Sequence, residues 1–136
     1  MATQVTAAAQ RGSTFLQIAI GVQTLTIFLQ AVSAGLLLTS SYGEVLHSVG
    51  ARVMYGASML YLLAAVLAWR PGGGSPRPVR HATGFLVLAS VQVVLGIAHV
   101  PSLHLPLGVL MFGLSVLALA RALRSGTPAG TTRGLR

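Results

Sequence analysis

Two histidines occupy equivalent places in a motif that the chain contains twice. Residues 46–58 read LHSVGARVMYGAS and residues 103–115 read LHLPLGVLMFGLS, and an ungapped overlay matches His47 with His104. Each motif opens a long apolar run, so each histidine is predicted in the first turns of a hydrophobic helix. Neutral imidazole is a good iron ligand, and histidines on two such helices could bind a haem iron between them. The alternative is a pair of interfacial histidines at helix ends, without a cofactor.

Glycines and methionines follow both histidines on the same predicted helix faces. Gly50 and Gly108 each lie about one turn after a histidine. A glycine there would leave room for a flat macrocycle, and the alternative is close helix packing. Met54 and Met111 lie seven residues after the histidines and could line the edge of the macrocycle. We therefore group all four with the predicted cofactor site.

Three further polar residues lie near the motifs. Glu44, the only acid of the chain, precedes His47 by three residues and shares its face. It could bond the imidazole, pair with Arg52, act on a substrate, or simply begin a helix, where a negative charge is favourable. Arg52 lies inside an apolar run and needs an anion, such as a haem propionate, or a snorkelling route. His99 lies five residues before His104. It is a candidate for a spare iron ligand, a proton-transfer group or a contact for a haem propionate, and the alternative is a solvated histidine at the membrane interface.

The composition excludes several classes of protein. Of 136 residues, 54% are hydrophobic and only 7% are charged, which is too apolar for a soluble domain of this length. The net charge of +8 comes from arginines at the ends of apolar stretches rather than along one exposed face, so we expect no nucleic-acid partner. Without cysteine there is no disulfide, thiolate metal site or covalent haem attachment.

Four apolar stretches are long enough to cross a lipid bilayer, which takes about 20 residues. They lack the alternation of barrel strands, so we predict helices. The fold class is therefore all-α, an integral membrane four-helix bundle with an internal two-fold repeat of helix pairs. The predicted spans are residues 14–39, 45–69, 83–100 and 103–123. They form a haem-binding domain, 14–123, between an N-terminal segment, 1–13, and a disordered tail, 124–136.

Arginine placement predicts the orientation. Arginines lie before the first span, in the Gly- and Pro-rich segment 70–80 and after the fourth span, whereas the loops at 40–44 and 100–103 have none. Positively charged segments stay inside. We expect a multi-pass cell-membrane protein with both termini cytoplasmic, a flexible inner loop at 70–80 and the paired histidines near the outer surface. One alternative is open: Val32-Ser33-Ala34 resembles a signal-peptidase site, and cleavage there would leave three spans.

The motifs resemble those of haem A synthases. GEVLH (43–47) resembles the E-x-x-H motif of that family, and QVVLG (92–96), a short loop and HL (104–105) resemble the last two helices of one half of such an enzyme. The resemblance covers roughly residues 14–123 and is to one half only. Family members usually contain two such halves, and compact single-half members are also a recognised type. It implies axial ligation by His47 and His104, a catalytic or haem-adjacent role for Glu44, and oxidation of the C8 methyl of haem O to the formyl group of haem A.

Two departures from the family keep other functions open. Ser48 stands where an arginine often follows the first histidine, and the cysteine pair of the outer loops is absent. One hypothesis is a haem A synthase-type oxidoreductase that works as a homo-oligomer, because one half offers one bis-histidine site. A second is a non-enzymatic haem b carrier, electron-transfer subunit or assembly factor. A third is a membrane scaffold without a cofactor.

Overall fold

The chain folds into four long α-helices. The computed structural model describes residues 2–70 and 74–125, with side chains from residue 12 onward. All four helices are long and apolar enough to cross a membrane, α1 over its part Gly12–Leu36. The predicted all-α four-helix membrane bundle is therefore confirmed. The helices are α1 Ala2–Leu36, α2 Gly43–Trp69, α3 Arg77–Ile97 and α4 Pro101–Ser125.

All four helices begin before the predicted spans, α1 and α3 by the most. Helix α1 begins at Ala2, so residues 2–13 continue the first helix instead of forming a separate segment. Helix α3 begins at Arg77, because Pro78 fits the first turn, where a backbone N–H has no helical partner. The last part of the predicted inner loop is thus helical. The centre of that loop, 71–73, lies outside the described residues. Of the predicted disordered tail, 124–136, residues 124 and 125 belong to α4 and the rest lie outside the described residues.

Each helix packs against its two neighbours in the ring order α1–α2–α3–α4–α1. The contact between α1 and α2 is the most extensive, and that between α3 and α4 is the least. Helices α2 and α4 therefore lie diagonally opposite each other, as do α1 and α3. Side chains of α2 and α4 that point to the bundle axis can meet only across its centre.

Small residues bring the helices together. Five of the eleven residues in the main buried cluster are alanines, which allow close backbone approach in a membrane bundle. Many leucines and valines remain exposed on the outer faces, as suits contact with lipid. The buried cluster comprises Ala19, Ile20, Ile27, Met54, Tyr61, Ala64, Ala65, Ala82, Phe85, Ala89 and Met111.

Polar bonds also join α1 to α4. Gln17 Nε2 donates to the Ala122 carbonyl oxygen at 2.8 Å. Further along α1, Thr24 Oγ1 contacts the Ser115 carbonyl oxygen at 3.3 Å and its own helix at Ile20 O, 2.9 Å. Such bonds matter in lipid because a polar group there has no water to bond.

The two ends of the bundle differ in chemistry. The α1–α2 and α3–α4 connections lie at one end, which we call the histidine end because it carries residues 47, 99 and 104. The α2–α3 connection lies at the other, which we call the arginine end. There the guanidinium of Arg70 lies 4.9 Å from the centre of the Trp69 ring. The arginine end carries Arg70, Arg77, Arg80, Arg121 and Arg124.

Candidate functional site

The structure brings together the two histidines that the repeat pairs. His47 of α2 and His104 of α4 face each other with ring centroids 6.1 Å apart and ring planes at 68°. Both side chains are half-buried. Because their helices are diagonal neighbours, the two rings close the distance across the bundle axis.

The environment of His104 determines which ring nitrogen is free. Its Nδ1 lies 3.0 Å from the Gln92 carbonyl oxygen, which can only accept a hydrogen bond. Nδ1 therefore carries the hydrogen, and Nε2 of the neutral ring keeps its lone pair. Gln92 Nε2 donates in return to the His104 carbonyl oxygen at 2.8 Å. Metal-binding histidines are commonly oriented by a carbonyl in this way.

A serine orients His47 in the same sense. Ser33 Oγ lies 3.0 Å from His47 Nδ1. It also contacts two acceptors of Gln30, the carbonyl oxygen at 3.0 Å and Oε1 at 3.1 Å. A hydroxyl has one hydrogen. When that hydrogen points to Gln30, the oxygen of Ser33 accepts a hydrogen bond from the Nδ1–H of His47. The Nε2 lone pair of His47 is then free, as in its partner.

The two glycines have a different role from the predicted one. A Cβ at Gly50 would collide with Oε1 of Gln30 and lie 3.2 Å from its Cδ. A Cβ at Gly108 would lie 3.0 Å from Nε2 of Gln92. The space in front of each glycine is thus filled by a glutamine amide and is not left for a macrocycle. The glycines act indirectly. Because they have no side chain, they leave space for Gln30 and Gln92, whose amides lie beside the groups that bond the histidines.

The sequence pattern missed two residues of the site. Ser33 stood out only within a signal-peptidase-like sequence, yet it lies inside α1 and bonds His47. Gly96 lies against the other histidine, since a Cβ there would come within 3.3 Å of His104 Cε1. In each helix pair a small residue follows a glutamine by about one turn: Ser33 follows Gln30, and Gly96 follows Gln92. This repeated spacing could have indicated both small residues.

The two methionines are core residues beneath the pair. Met54 is 4% exposed and Met111 is 1% exposed, and both belong to the main buried cluster. Ser58 Oγ lies 3.8 Å from Met54 Sδ. Seven residues of helix separate each methionine from its histidine, which corresponds to about 10 Å. The two methionines form an apolar layer under the histidines, which we call the apolar floor.

Glu44 and Arg52 lie apart from the pair. Arg52 is exposed, and five residues of helix put it about 140° around α2 from His47, on the outward face. The structure thus places Arg52 away from the histidine pair, and its contact with a haem propionate stays a prediction. Glu44 is exposed in the first turn of α2, where a negative charge suits the helix dipole. Neither residue forms an ion pair within the described part of the chain.

His99 forms the turn between α3 and α4. Its φ is 53°, in the left-handed region, and its Nδ1 donates to the Ile97 carbonyl oxygen at 2.9 Å. The Val100 N–H bonds the Leu95 carbonyl at 3.0 Å and the His99 N–H bonds that of Gly96 at 3.2 Å, a Schellman ending. The exposed ring is held by the loop, so the structure shows a turn-forming role for His99, and its other proposed roles stay predictions.

The two histidines suit a metal ion whose other ligands come from a cofactor and not from the protein. Among the described residues, no group of three or more histidine, cysteine or acidic side chains could hold a bare metal ion. Two imidazoles are enough for a haem iron, since the porphyrin supplies the equatorial nitrogens. Facing rings with both Nε2 lone pairs free match that requirement.

Fold and site together define a four-helix membrane bundle with two oriented histidines at one end. No protein-family model, curated protein or solved structure matches the chain. Its function is argued below from the site.

Proposed function

We propose that this chain is a membrane haem-binding protein in which His47 and His104 are the two axial ligands. The observation that carries the proposal is the facing of the rings at 6.1 Å with each Nδ1 already hydrogen-bonded. The bound group is haem b, held without a covalent link because the chain has no cysteine. Such a haem would supply one-electron redox chemistry.

The residues around the pair prepare it for ligation. Ser33 and the Gln92 carbonyl fix the tautomers and restrict rotation of the rings, so less freedom is lost on binding. The apolar floor of Met54 and Met111 separates the site from the arginine end. These features favour a preorganised cofactor site over two unrelated interfacial histidines.

The arginine distribution supports an orientation for this function. The arginine end would lie in the cytoplasm with both termini, and the histidine end near the outer surface of the cell membrane. The haem would then exchange electrons or be transferred at the outer face.

Haem A synthase-type chemistry is the second candidate. One observation favours it: Glu44, the only carboxylate side chain of the sequence, lies one turn before His47 and is exposed without an ion pair among the described residues. In that function Glu44 would manage charge or protons during oxidation of a haem O methyl group. The oxidation needs an electron acceptor outside the chain, and a homo-oligomer would provide a second haem site.

A haemin titration tests the primary proposal. The purified chain in detergent should bind one haemin, followed by its Soret absorption, and His47→Ala and His104→Ala should each weaken binding about tenfold or more. His81→Ala and His99→Ala are matched controls, because both side chains are exposed and lie outside the pair. Equal affinity in all four variants would exclude the pair as ligands. A parent protein that binds no haemin would favour the cofactor-free scaffold.

A further inference from the structure

A glutamine is buried two turns below the histidine pair. Gln23 of α1 is 1% exposed, and neither its Nε2 nor its Oε1 has a hydrogen-bond partner among the described residues. An amide in an apolar interior is strongly unfavourable unless its donor and acceptor are satisfied. Because no described residue of the histidine site bonds this amide, its burial needs a separate explanation.

The helix register shows what surrounds this amide. Gln30 contacts Gly50, and because α1 and α2 are antiparallel, seven residues inward on each helix bring Gln23 level with Ala57 and Ser58. Both of these are buried, at 6% and 0% exposure. The long amide of Gln23 therefore lies in a layer walled by short side chains.

Helix α4 adds another small polar residue to the layer. Thr24, next to Gln23, contacts the Ser115 carbonyl, and Ser115 is 2% exposed. The hydroxyls of Ser58 and Ser115 donate to their own helices, at Met54 O and Phe112 O. Their hydrogens are used and their oxygen lone pairs can still accept. The layer thus combines acceptor oxygens with one amide donor.

We propose that Gln23 binds internal water in the middle of the bundle, in the layer formed with Ser58 and Ser115. Water is the ligand that fits this chemistry, since one molecule donates to the acceptor oxygens and accepts from the Gln23 amide. The layer is polar on α1, α2 and α4, which gives a water the several partners that it needs. This inference does not depend on haem binding.

Three glutamines spaced along α1 show where the layer lies in the fold. Gln23 and Gln30 lie seven residues apart and so share a face of α1, whereas Gln17 lies six residues before Gln23 and points to another face. Gln17 bonds Ala122 toward the arginine end, and Gln30 bonds Ser33 beside His47. Gln23 lies between these two glutamines along α1, and its amide is the one with no protein partner within the described chain. Water supplies the missing partner at this position.

Solid-state NMR on the full chain in lipid nanodiscs tests the proposal. With ¹⁵N-labelled glutamine, magnetisation transferred from water should reach the side-chain amide of Gln23, whose signal is identified by its loss in Gln23→Met. The half-buried Gln30 amide is the positive control, because it lies near the histidine end. Transfer to Gln30 but none to Gln23 would overturn the proposal.

A second measurement distinguishes loss of the water from a simple repacking of side chains in Gln23→Met. In the parent, water should also reach the labelled side chains of Ser58 and Ser115, and Gln23→Met should remove that transfer. Gln17→Met is the matched control: it makes the same substitution in the same helix but leaves the layer intact, and should leave the serine signals unchanged. Serine signals that are equally hydrated in the parent and in Gln23→Met would contradict the assignment of the water to Gln23.

Discussion

Gly50→Ala is expected to destabilise the bundle through the partners of His47. The new Cβ would collide with the Gln30 amide, whose Oε1 accepts from Ser33 Oγ. Ser33 is also the hydrogen-bond partner of His47 Nδ1. A single methyl group on α2 therefore displaces the glutamine and disturbs the orientation of the histidine.

The magnitude follows from two losses and one gain. Loss of the Ser33–Gln30 hydrogen bond costs about 1 kcal/mol, and crowding in a packed interior costs about 1–3 kcal/mol. Alanine in place of glycine stabilises a helix by about 1 kcal/mol. Gly56→Ala is a matched control, because it lies on the same helix and its Cβ would meet nothing within 4 Å. The helix gain cancels between the variants, so Gly50→Ala should be less stable than Gly56→Ala by about 2–4 kcal/mol.

Unfolding in mixed micelles measures this difference. Trp69, the only tryptophan, ends α2 and reports unfolding of the helix that carries both glycines. Titration with a denaturing detergent should give a clearly earlier transition for Gly50→Ala than for the parent, and an unchanged or later one for Gly56→Ala. Equal stability of the two variants would refute the idea that Gly50 exists to admit Gln30.

Three further outcomes are expected. Ser33→Ala removes the partner of His47 Nδ1 and should weaken haemin binding about 10–100-fold in a Soret titration, whereas unchanged affinity would exclude an orienting role. Reporter fusions at Ser75 and at the C-terminus should both read cytoplasmic, and an external signal at either place would overturn the orientation. In the second candidate function, the parent supplied with haem O should form oxidised haem, and Glu44→Gln should keep haem occupancy while mass analysis finds no such product; full product formation in this variant would remove the catalytic role of Glu44.

The helices and the histidine pair were predictable from sequence because their signals are local. Apolar runs of sufficient length define the spans, and the duplicated Leu-His motif places His47 and His104 at equivalent points. The start of α3 was misjudged because charged residues and proline lowered the hydropathy of a turn that is nevertheless helical. Proline at the beginning of a helix is favourable, and the hydropathy pattern does not register it.

The surroundings of the pair could not be predicted because they depend on contacts between helices. The glycines at 50 and 108 had two possible roles, and the choice required knowing that Gln30 and Gln92 face them. Arg52 was expected beside the cofactor, although the helix angle from His47 already indicated another face. Which neighbour a residue meets depends on packing, and a single sequence carries only the period of each helix.

Electron paramagnetic resonance of the ferric, haem-loaded protein tests the central claim most directly. With ¹⁵N-labelled histidine, the account predicts a low-spin signal with hyperfine coupling to two histidine nitrogens, and loss of one coupling in His47→Ala and of the other in His104→Ala. A high-spin spectrum of the loaded parent, or a low-spin spectrum that survives both substitutions, would show that this pair does not hold the iron.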